Sequence, residues 1–319
     1  MVAENKRIAV TGALGHIGSR FIHDIKPGDF EEVILIDNLS TQRYSSLFNR
    51  PKGVNFRFIE NDICTADLNK YFKNIDVVVH LAAITDAATS VGRKDLVEEV
   101  NYSGTERVAK ACIENKCKLL FPSTTSVYGT QKEIVDESCS ADELKPQSPY
   151  ADSKLRGEQL LMKLGQEEQL KFVICRLGTV FGISKGMRFH TAVNKFAWQA
   201  CMGQPITVWR TAMNQKRPYL DLVDAVRSMT FIIRENIFTG EIYNVVTLNA
   251  TVSDIISVIK EHFPVLNVEF VDTEIMNQLS YNVSNERFHA LGFEFKGDIH
   301  KGIHETISLL KSAYRGESK

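Results

Sequence analysis

Short segments that are apolar along almost their whole length recur through the first two thirds of the chain, with amphipathic patterns between them. A strand that is apolar on both faces belongs in a parallel sheet covered by helices on each side. The clearest helical patterns run over 94–114 and 150–164, where apolar residues recur at three- and four-residue intervals. This alternation predicts an α/β fold with a doubly wound parallel sheet. The predicted strands are residues 7–11, 32–37, 55–60, 76–83, 118–123 and 171–178.

The first predicted strand runs directly into the sequence TGALGHIGSRFI, which places Gly12, Gly15 and Gly18 between a strand and a helix. Glycines at this spacing allow a tight turn and close approach of the backbone to a pyrophosphate, while the helix N-terminus supplies free N–H groups. Asp37 ends the second strand, where a carboxylate can accept both ribose hydroxyls and would repel a 2′-phosphate. The turn therefore predicts a dinucleotide site that favours NAD over NADP, although Arg43 nearby weakens that preference.

After Gly182 the regular alternation ends and gives way to mixed helix, short strand and loop. We therefore predict a dinucleotide-binding domain of the Rossmann type over residues 1–182, with a segment near 218–247 returning to it. A smaller α/β domain over residues 183–319 is predicted to bind the substrate.

Composition restricts the class of partner. The formal net charge of the 319 residues is −1, and no stretch collects lysine and arginine on one face. This balance argues against a nucleic-acid or anionic-membrane partner and favours a small molecule. The six cysteines include no C-x-x-C pair, as expected in a reducing compartment, and no spacing of histidine and cysteine suggests a metal site. The first strand begins within a few residues and no apolar run is long enough to span a bilayer, so we expect a cytoplasmic protein.

Tyr150 precedes Lys154 by four positions in SPYADSKLRGE, which puts both side chains on one face of a predicted helix. A phenol with a pKa of about 10 is a poor base at neutral pH. An ammonium a few ångströms away would favour the phenolate by about 4 kcal/mol at an effective dielectric near 20. We therefore expect Lys154 to lower the pKa of Tyr150, and the alternative is an ordinary exposed pair.

Thr124 follows the fifth predicted strand, at the carboxyl edge of the sheet where ligands bind. Its hydroxyl can donate and accept a hydrogen bond, so it could hold a substrate oxygen and pass a proton to Tyr150. Ser123 and Thr125 are adjacent alternatives, and a run of hydroxyls that only satisfies the strand end is another. His80 lies in an apolar strand and is predicted to be a core residue.

Together these motifs resemble the extended short-chain dehydrogenase/reductases of the NAD-dependent epimerase/dehydratase family, and the UDP-glucose 4-epimerase branch is the most similar type. The resemblance covers nearly the whole chain. Its motifs are the glycine turn, NDI at 61–63, HLAA at 80–83, NYSGT at 101–105, STTSVYG at 123–129, Tyr150 with Lys154, RLGTVFG at 176–182 and RPYLDLVDAV at 217–226.

The resemblance implies an NAD cofactor and a tyrosine that takes a proton from a sugar hydroxyl while hydride passes to NAD. It also implies a homodimer formed through the helices at 94–114 and 150–164. The implied cofactor contacts are Gly12, Gly15, His16, Ile17, Gly18, Asp37, Asn38, Asp62, Ile63, Leu81, Ala82, Ala83, Asn101, Tyr150 and Lys154.

The resemblance further implies that Arg217 binds the diphosphate of a nucleotide sugar and that the strand in GQPITVW lies along the base. Thr179 replaces the expected asparagine of the sixth-strand motif, and NQLSYNVSNERF offers no clear second arginine. Arg188 in GMRFHTAVNKF could compensate, and this segment resembles a subgroup in which nucleotide-linked heptoses are also substrates. The implied substrate contacts are Thr125, Thr179, Arg188, Asn194 and Arg217.

Two classes of function follow. The first is an NAD-dependent enzyme that oxidises a nucleotide-sugar hydroxyl at carbon 4, and either returns the hydride as an epimerase or stops at the ketone as a hexose or heptose dehydrogenase. The second is a non-catalytic dinucleotide sensor. A 4,6-dehydratase is not expected, because Thr125 and Ser126 stand where such enzymes carry an aspartate and a glutamate directly after the catalytic threonine.

Overall fold

Strands and helices alternate along the computed structural model of the protein, which describes residues 6–129, 132–271 and 280–313. The strands are β1 (Arg7–Thr11), β2 (Glu32–Asp37), β3 (Phe56–Glu60), β4 (Val77–His80), β5 (Lys118–Thr124), β6 (Ile134–Val135), β7 (Phe172–Leu177), β8 (Thr179–Phe181), β9 (Ile206–Trp209), β10 (Lys216–Asp221), β11 (Ile242–Val245), β12 (Leu248–Thr251), β13 (Val268–Val271) and β14 (Asn282–Val283).

The helices are α1 (His16–Asp24), α2 (Leu68–Phe72), α3 (Ala87–Ser90), α4 (Lys94–Val97), α5 (Gly104–Asn115), α6 (Pro149–Glu168), α7 (Ala192–Cys201), α8 (Leu222–Arg234), α9 (Val252–His262), α10 (Glu286–His289) and α11 (Ile299–Ala313). A π-helix, Glu98–Ser103, joins α4 to α5. Short 3-10 helices lie at Tyr44–Leu47, Val91–Arg93, Thr125–Val127, Ala141–Glu143 and Arg210–Ala212.

Seven strands of the described chain form the main sheet in the order β11-β7-β5-β4-β1-β2-β3. Every neighbouring pair in it is parallel. The predicted doubly wound parallel sheet is therefore confirmed. The direction of winding reverses between β1 and β4, which opens a crevice at their carboxyl ends, where a ligand can bind.

Alternation along each strand divides the core into two layers, one on each face of the sheet. In β1, Ile8 and Val10 belong to the cluster beside α1 and α8, whereas Ala9 belongs to the cluster beside α5 and α6. All three side chains have no exposed surface. Burial on both faces explains why the strand sequences are continuously apolar.

A second apolar core lies under the smaller sheet β12-β10-β8 and the pair β13-β9, and it is built largely from α7, α9 and α11. Between β10 and β12 the chain leaves this region, because α8 packs against α1 and β11 extends the main sheet beside β7. The chain therefore passes between the two cores more than once. The residue boundaries of the two predicted domains stay a prediction.

The predicted continuous helix over 94–114 is interrupted by its π-helix. This turn carries Asn101, whose buried amide donates to the Ile84 carbonyl and to Ser153 Oγ, and accepts from the Ile84 N–H. Single π-turns of this kind are often found near functional sites. Here the turn connects the loop after β4 to α6.

Candidate active site

A cavity of about 540 Å³ lies at the carboxyl edge of the main sheet and faces the smaller sheet. Its wall includes fourteen of the residues predicted to bind cofactor or substrate or to be catalytic: Gly12, Gly15, His16, Ile17, Gly18, Leu81, Ala83, Thr124, Thr125, Tyr150, Lys154, Thr179, Arg188 and Arg217. Seven other predicted residues do not line it: Asp37, Asn38, Asp62, Ile63, Ala82, Asn101 and Asn194.

The turn between β1 and α1 is tight because its glycines leave no room for side chains. Gly12 has a φ of +65°, and a Cβ there would lie 2.5 Å from the backbone nitrogen of Ala82. A Cβ on Gly18 would lie 2.5 Å from the Ala13 carbonyl oxygen. Gly15 is the N-cap residue of α1 and has no side chain to cap the helix, so it leaves the first N–H groups of this helix uncapped.

Tyr150 is the second residue of α6, in a helix start fixed by Pro149 and by Ser148, whose Oγ accepts a 3.2 Å hydrogen bond from the Ala151 N–H. Thr124 ends β5 and its Oγ1 accepts from the Ser126 N–H at 3.1 Å. Burial raises the pKa of the Tyr150 phenol, and a hydrogen bond with Thr124 and the charge of Arg188 oppose that rise. The structure thus brings the predicted phenol and hydroxyl into contact.

Lys154 lies one turn after Tyr150, but its ammonium points toward the sheet. Its Nζ donates to the Pro122 carbonyl at 2.9 Å and lies 4.4 Å from the centre of the Phe121 ring. Burial lowers the pKa of Lys154 to about 8, against the opposing charge of Glu158. The expectation that Lys154 lowers the Tyr150 pKa is wrong, because desolvation of the phenol dominates and Arg188 is the cation that opposes it.

A buried ion pair between Glu158 and Arg176 lies beside Lys154. Glu158 follows Lys154 by one further turn of α6 and binds Arg176 of β7 through Nε at 3.1 Å and Nη2 at 2.7 Å. Both side chains are only 2% exposed. Ser123 Oγ also donates to Glu158, and the Arg176 guanidinium lies 4.9 Å from the centre of the Tyr128 ring. The sequence analysis missed this pair, although the four-residue spacing from Lys154 to Glu158 is a signal that could have found it.

The predicted adenosine edge lies beside the cavity. Asp37 accepts from the Leu14 N–H at 3.0 Å through Oδ2 and from the Leu39 N–H at 2.9 Å through Oδ1. Asn38 donates to Asp62 at 2.8 Å. Each Asp37 oxygen keeps a second acceptor site, so the predicted ribose contact is sterically compatible and stays a prediction.

Asn101 and Asn194 have their amides engaged within the protein, which explains why they do not line the cavity. Asn194 accepts from the Gly182 N–H at 3.2 Å and donates to the carbonyls of Gly182 and Arg188 at 3.3 and 3.0 Å. Asn194 therefore holds the chain between β8 and α7, and its predicted contact with substrate stays a prediction.

The far wall of the cavity carries the other predicted substrate contacts. Thr125 Oγ1 donates to the Leu177 carbonyl at 3.2 Å, and Thr179 begins β8. Arg217 Nη2 donates to Gln215 at 2.9 Å, and burial lowers the pKa of its guanidinium. Lys195, which was not predicted, also lines this wall and donates to Thr207 of β9 at 3.0 Å.

Four basic side chains surround the turn at the other end of the cavity. Arg188 donates to Thr85, and burial lowers its pKa. Burial, and after it the charge of Arg188, lowers the pKa of His16 to about 3 and that of Arg43 to about 10. The pKa of His190 at the rim is lowered by burial and then by Arg188. Sequence analysis gave no role to His190, because nothing local to it predicts this position.

His80 is a core residue, as expected. It has no exposed surface, and its ring nitrogens contact Thr11 Oγ1 at 2.7 Å and Thr105 Oγ1 at 3.1 Å. Within the described ranges no group of three or more histidine, cysteine or acidic residues could hold a metal ion. No helix in that same part of the chain is long and apolar enough to cross a membrane.

Comparison with known proteins agrees with this geometry. Residues 8–245 match the NAD dependent epimerase/dehydratase family. A Bacillus subtilis protein described as an uncharacterized UDP-glucose epimerase, YtcB, is 28% identical over 98% of this chain and 100% of that protein. A Bos taurus dTDP-D-glucose 4,6-dehydratase is 28% identical over 97% of this chain and 90% of that protein.

A solved structure is similar along its whole length. The UDP-glucuronic acid 4-epimerase from Bacillus cereus, in complex with UDP-glucuronic acid and NAD, superposes with a TM-score of 0.85 at 28% identity, over 97% of this chain and 100% of that one. The chain belongs to the NAD-dependent epimerase/dehydratase family, which confirms the resemblance drawn from its motifs.

Proposed function

We propose that this protein is an NAD-dependent epimerase that inverts carbon 4 of a nucleotide sugar. The observation that carries the proposal is the placement of Thr124, Tyr150 and Lys154 in the wall of the same cavity as the glycine turn of β1 and α1. A sensor of dinucleotides would need the turn and would have no use for a hydroxyl, a phenol and an ammonium at one point of its wall.

The residues of the turn fit NAD. The turn has no room for side chains at Gly12 and Gly18, which leaves its backbone open to a pyrophosphate, and His16 Nε2 is buried without a hydrogen-bond partner among the described residues. Gly12, Gly15, His16 and Ile17 would hold the pyrophosphate, Asp37 the adenosine ribose, and Lys154 the nicotinamide ribose. Bound NAD would accept a hydride from the sugar carbon and return it. We expect Asn38, Asp62, Ile63 and Leu81 to Ala83 to shape the adenine and nicotinamide ends.

The protein's own part in the reaction is the movement of one proton. Tyr150 Oη would remove it from the sugar hydroxyl, with Thr124 Oγ1 holding the same oxygen and relaying the proton. Because burial raises the pKa of Tyr150, the phenol is protonated at neutral pH. Arg188 opposes this rise, and so favours the phenolate that the reaction requires.

The substrate would bind on the side of the cavity that faces the smaller sheet. We propose that Arg217 and Lys195 bind the diphosphate, that β9 lies along the base, and that Thr125 and Thr179 contact the sugar. Asn194 would act by fixing the chain around Arg188 and not by touching substrate.

A 4,6-dehydratase remains disfavoured by the residues, although the Bos taurus relative has that activity in its name. The elimination needs a base for carbon 5 and an acid for the hydroxyl at carbon 6. Thr125 is 3% exposed and donates to the Leu177 carbonyl, and Ser126 lines the cavity with a neutral hydroxyl. Neither side chain can replace a carboxylic acid.

The experiment is proton NMR of the purified protein with UDP-glucose, UDP-N-acetylglucosamine and UDP-glucuronic acid in deuterated water. An epimerase gives the carbon 4 epimer without deuterium at carbon 5. A carbon 6 methyl signal would show dehydration, and a stable ketone with stoichiometric absorbance at 340 nm would show a dehydrogenase. If no sugar in a wider panel reacts while NAD still binds, the sensor alternative is the correct one.

We further propose a homodimer formed through α4, α5 and α6. Leu96 of α4 and Met162 of α6 are each 37% exposed, which leaves apolar surface available on these helices. Light scattering at micromolar concentration should give twice the mass of one chain, and a monomer would contradict the proposal.

A further inference from the structure

The chain between β8 and α7, residues 183–190, crosses directly over the glycine turn. Gly186 is so close to it that a Cβ would lie 2.5 Å from the Leu14 carbonyl oxygen and 2.7 Å from that of Gly15. The Gly186 N–H donates to Ser19 Oγ at 3.0 Å, and Ser184 Oγ contacts His16 Nδ1 at 2.8 Å. A segment expected to belong with the substrate region is therefore fastened to the first turn of α1.

The loop after β2 holds the other side of the same segment. Ser45 Oγ donates to the Lys185 carbonyl at 3.0 Å, and Lys185 Nζ donates to the Phe48 carbonyl. Arg20 of α1 donates to the Ile183 carbonyl at 3.4 Å. We call residues 183–190 the clasp, because they are attached on both sides of the turn.

The clasp and the loop after β2 bring positive charge to the N-terminus of α1. The charge comes from Arg188 of the clasp and from Arg43 of the loop, whereas His16 and His190 have lowered pKa values and are neutral imidazoles at neutral pH. Asp86 is the carboxylate whose charge acts on Arg188 and His190, and Asp37 is the one that acts on Arg43.

Three buried nitrogens in this group have no hydrogen-bond partner within the described residues: His16 Nε2, Arg43 Nη1 and Arg188 Nε. His16 is only 9% exposed, and it lines the cavity together with Arg188. Buried donors without acceptors are costly, and the charges of Arg43 and Arg188 repel each other, so an anion bound between them would stabilise the arrangement. The helix N-terminus favours an anion at the same point.

We propose that the clasp closes over the bound cofactor and that Arg188, assisted by Arg43, binds its pyrophosphate. This inference rests on the proposed function, because it takes NAD as the cofactor. Arg188, which was predicted from the sequence to contact the substrate, is thereby assigned to the cofactor. Departure of the cofactor would require the clasp to lift from the turn, so NAD is retained between turnovers, as suits an enzyme that returns the hydride it removes.

The test measures NAD binding by titration calorimetry, using full-length protein freed of cofactor. Arg188→Gln should weaken NAD affinity about ten- to hundredfold, as expected for loss of a charged hydrogen bond, and Arg43→Gln should weaken it less. Arg217→Gln is the matched control at the other end of the cavity, and it should change NAD affinity less than about threefold while weakening UDP.

The opposite pattern would overturn the proposal. If Arg188→Gln leaves NAD affinity unchanged and weakens UDP, the arginine binds the diphosphate of the substrate. A wild-type protein that does not bind NAD at all would refute the proposed function itself, which is a different outcome.

A second variant tests closure of the clasp without removing a charge. Gly186→Ala places a methyl group against the Leu14 carbonyl, and should increase the rate at which NAD dissociates at least several-fold. Circular dichroism and thermal unfolding without cofactor verify that this variant is folded. Gly92→Ala, whose added Cβ meets nothing within 4 Å and whose backbone has no positive φ, controls for loss of a glycine. An unchanged dissociation rate in folded Gly186→Ala would contradict closure.

Discussion

Two walls of the cavity, one formed by β5 and α6 and one around the glycine turn, hold their charged groups in different ways. On the wall formed by β5 and α6, Lys154 donates to a backbone carbonyl, and behind it Glu158 and Arg176 form a two-point ion pair. Around the glycine turn, Arg43 and Arg188 have buried nitrogens without partners among the described residues. The first wall has its main ionic partners within the protein, although Arg176 Nη1 has no hydrogen-bond partner among the described residues, whereas the second wall is proposed to take its partner from a ligand.

The difference teaches where each kind of residue acts. A catalytic group must keep its geometry before substrate arrives, so its supporting contacts are internal to the protein. A cation that binds a ligand gives a higher affinity when no carboxylate of the protein is paired with it, because such a carboxylate would have to be displaced on binding. Variants of the two walls are expected to differ in turnover, in stability, in the pH dependence of stability and in cofactor choice.

The largest effect is expected from the first wall. Tyr150→Phe should lower turnover about 10²- to 10⁴-fold, because only the ionisable oxygen is lost, while NAD affinity stays within about threefold. Steady-state kinetics and calorimetry on the same preparation measure both quantities. A comparable loss of NAD affinity would mean that Tyr150 belongs to the wall around the glycine turn instead.

The second largest effect is expected on the free energy of unfolding, which should differ between variants of the two walls. Glu158→Gln leaves Arg176 buried without its carboxylate and should lower the free energy of unfolding by about 3–5 kcal/mol. Arg188→Gln relieves repulsion and, without cofactor, should change that free energy by less than about 1 kcal/mol. Denaturant unfolding of both variants gives the comparison, and equal destabilisation would remove the distinction drawn here.

A smaller effect is expected in the dependence of stability on pH. Burial lowers the pKa of His16 and of His80 to about 3, below the unfolded value of about 6.5. The unfolded chain therefore binds more protons between these values, so stability is full above pH 6.5 and is lost as pH falls below it. Each histidine should contribute about 1.4 kcal/mol of loss between pH 7.5 and 5.5. Denaturant unfolding of His80→Gln should show a shallower loss than wild type, and an identical slope would contradict the assignment.

The smallest effect concerns cofactor choice. Asp37→Ala removes the carboxylate that would accept the ribose hydroxyls, together with its hydrogen bonds from the Leu14 and Leu39 N–H groups. NAD affinity should fall about threefold to tenfold and the gap to NADP should narrow. A ratio of the two affinities equal to that of wild type would argue against the predicted role.

Local sequence pattern predicted the main sheet well. The bounds of β1 and β2 agree with prediction at both ends, since buried parallel strands are short apolar runs that end at polar or glycine residues. The glycine turn, Thr124, Tyr150 and Lys154 were found because each follows directly from the end of a strand or the start of a helix.

Contacts between distant parts of the chain were not predicted. The direction of the Lys154 ammonium depends on the Pro122 carbonyl, and the Glu158 to Arg176 pair joins a helix to a strand. The clasp has no periodicity, and its contact between His16 and Ser184 joins residues far apart in sequence. Such contacts depend on packing and leave no repeating pattern in the residues themselves.

The position of β11 late in the sequence has a consequence for folding during synthesis on the ribosome. β7 is an inner strand only because β11 pairs with it, and β8, α7, β9, β10 and α8 all lie between these two strands in the sequence. At a synthesis rate of about 5–20 residues per second, roughly 3–14 s separate the end of β7 from the end of β11 on the ribosome. During that interval the nascent sheet has an open, apolar edge, which is the form most prone to aggregation and most open to chaperone capture.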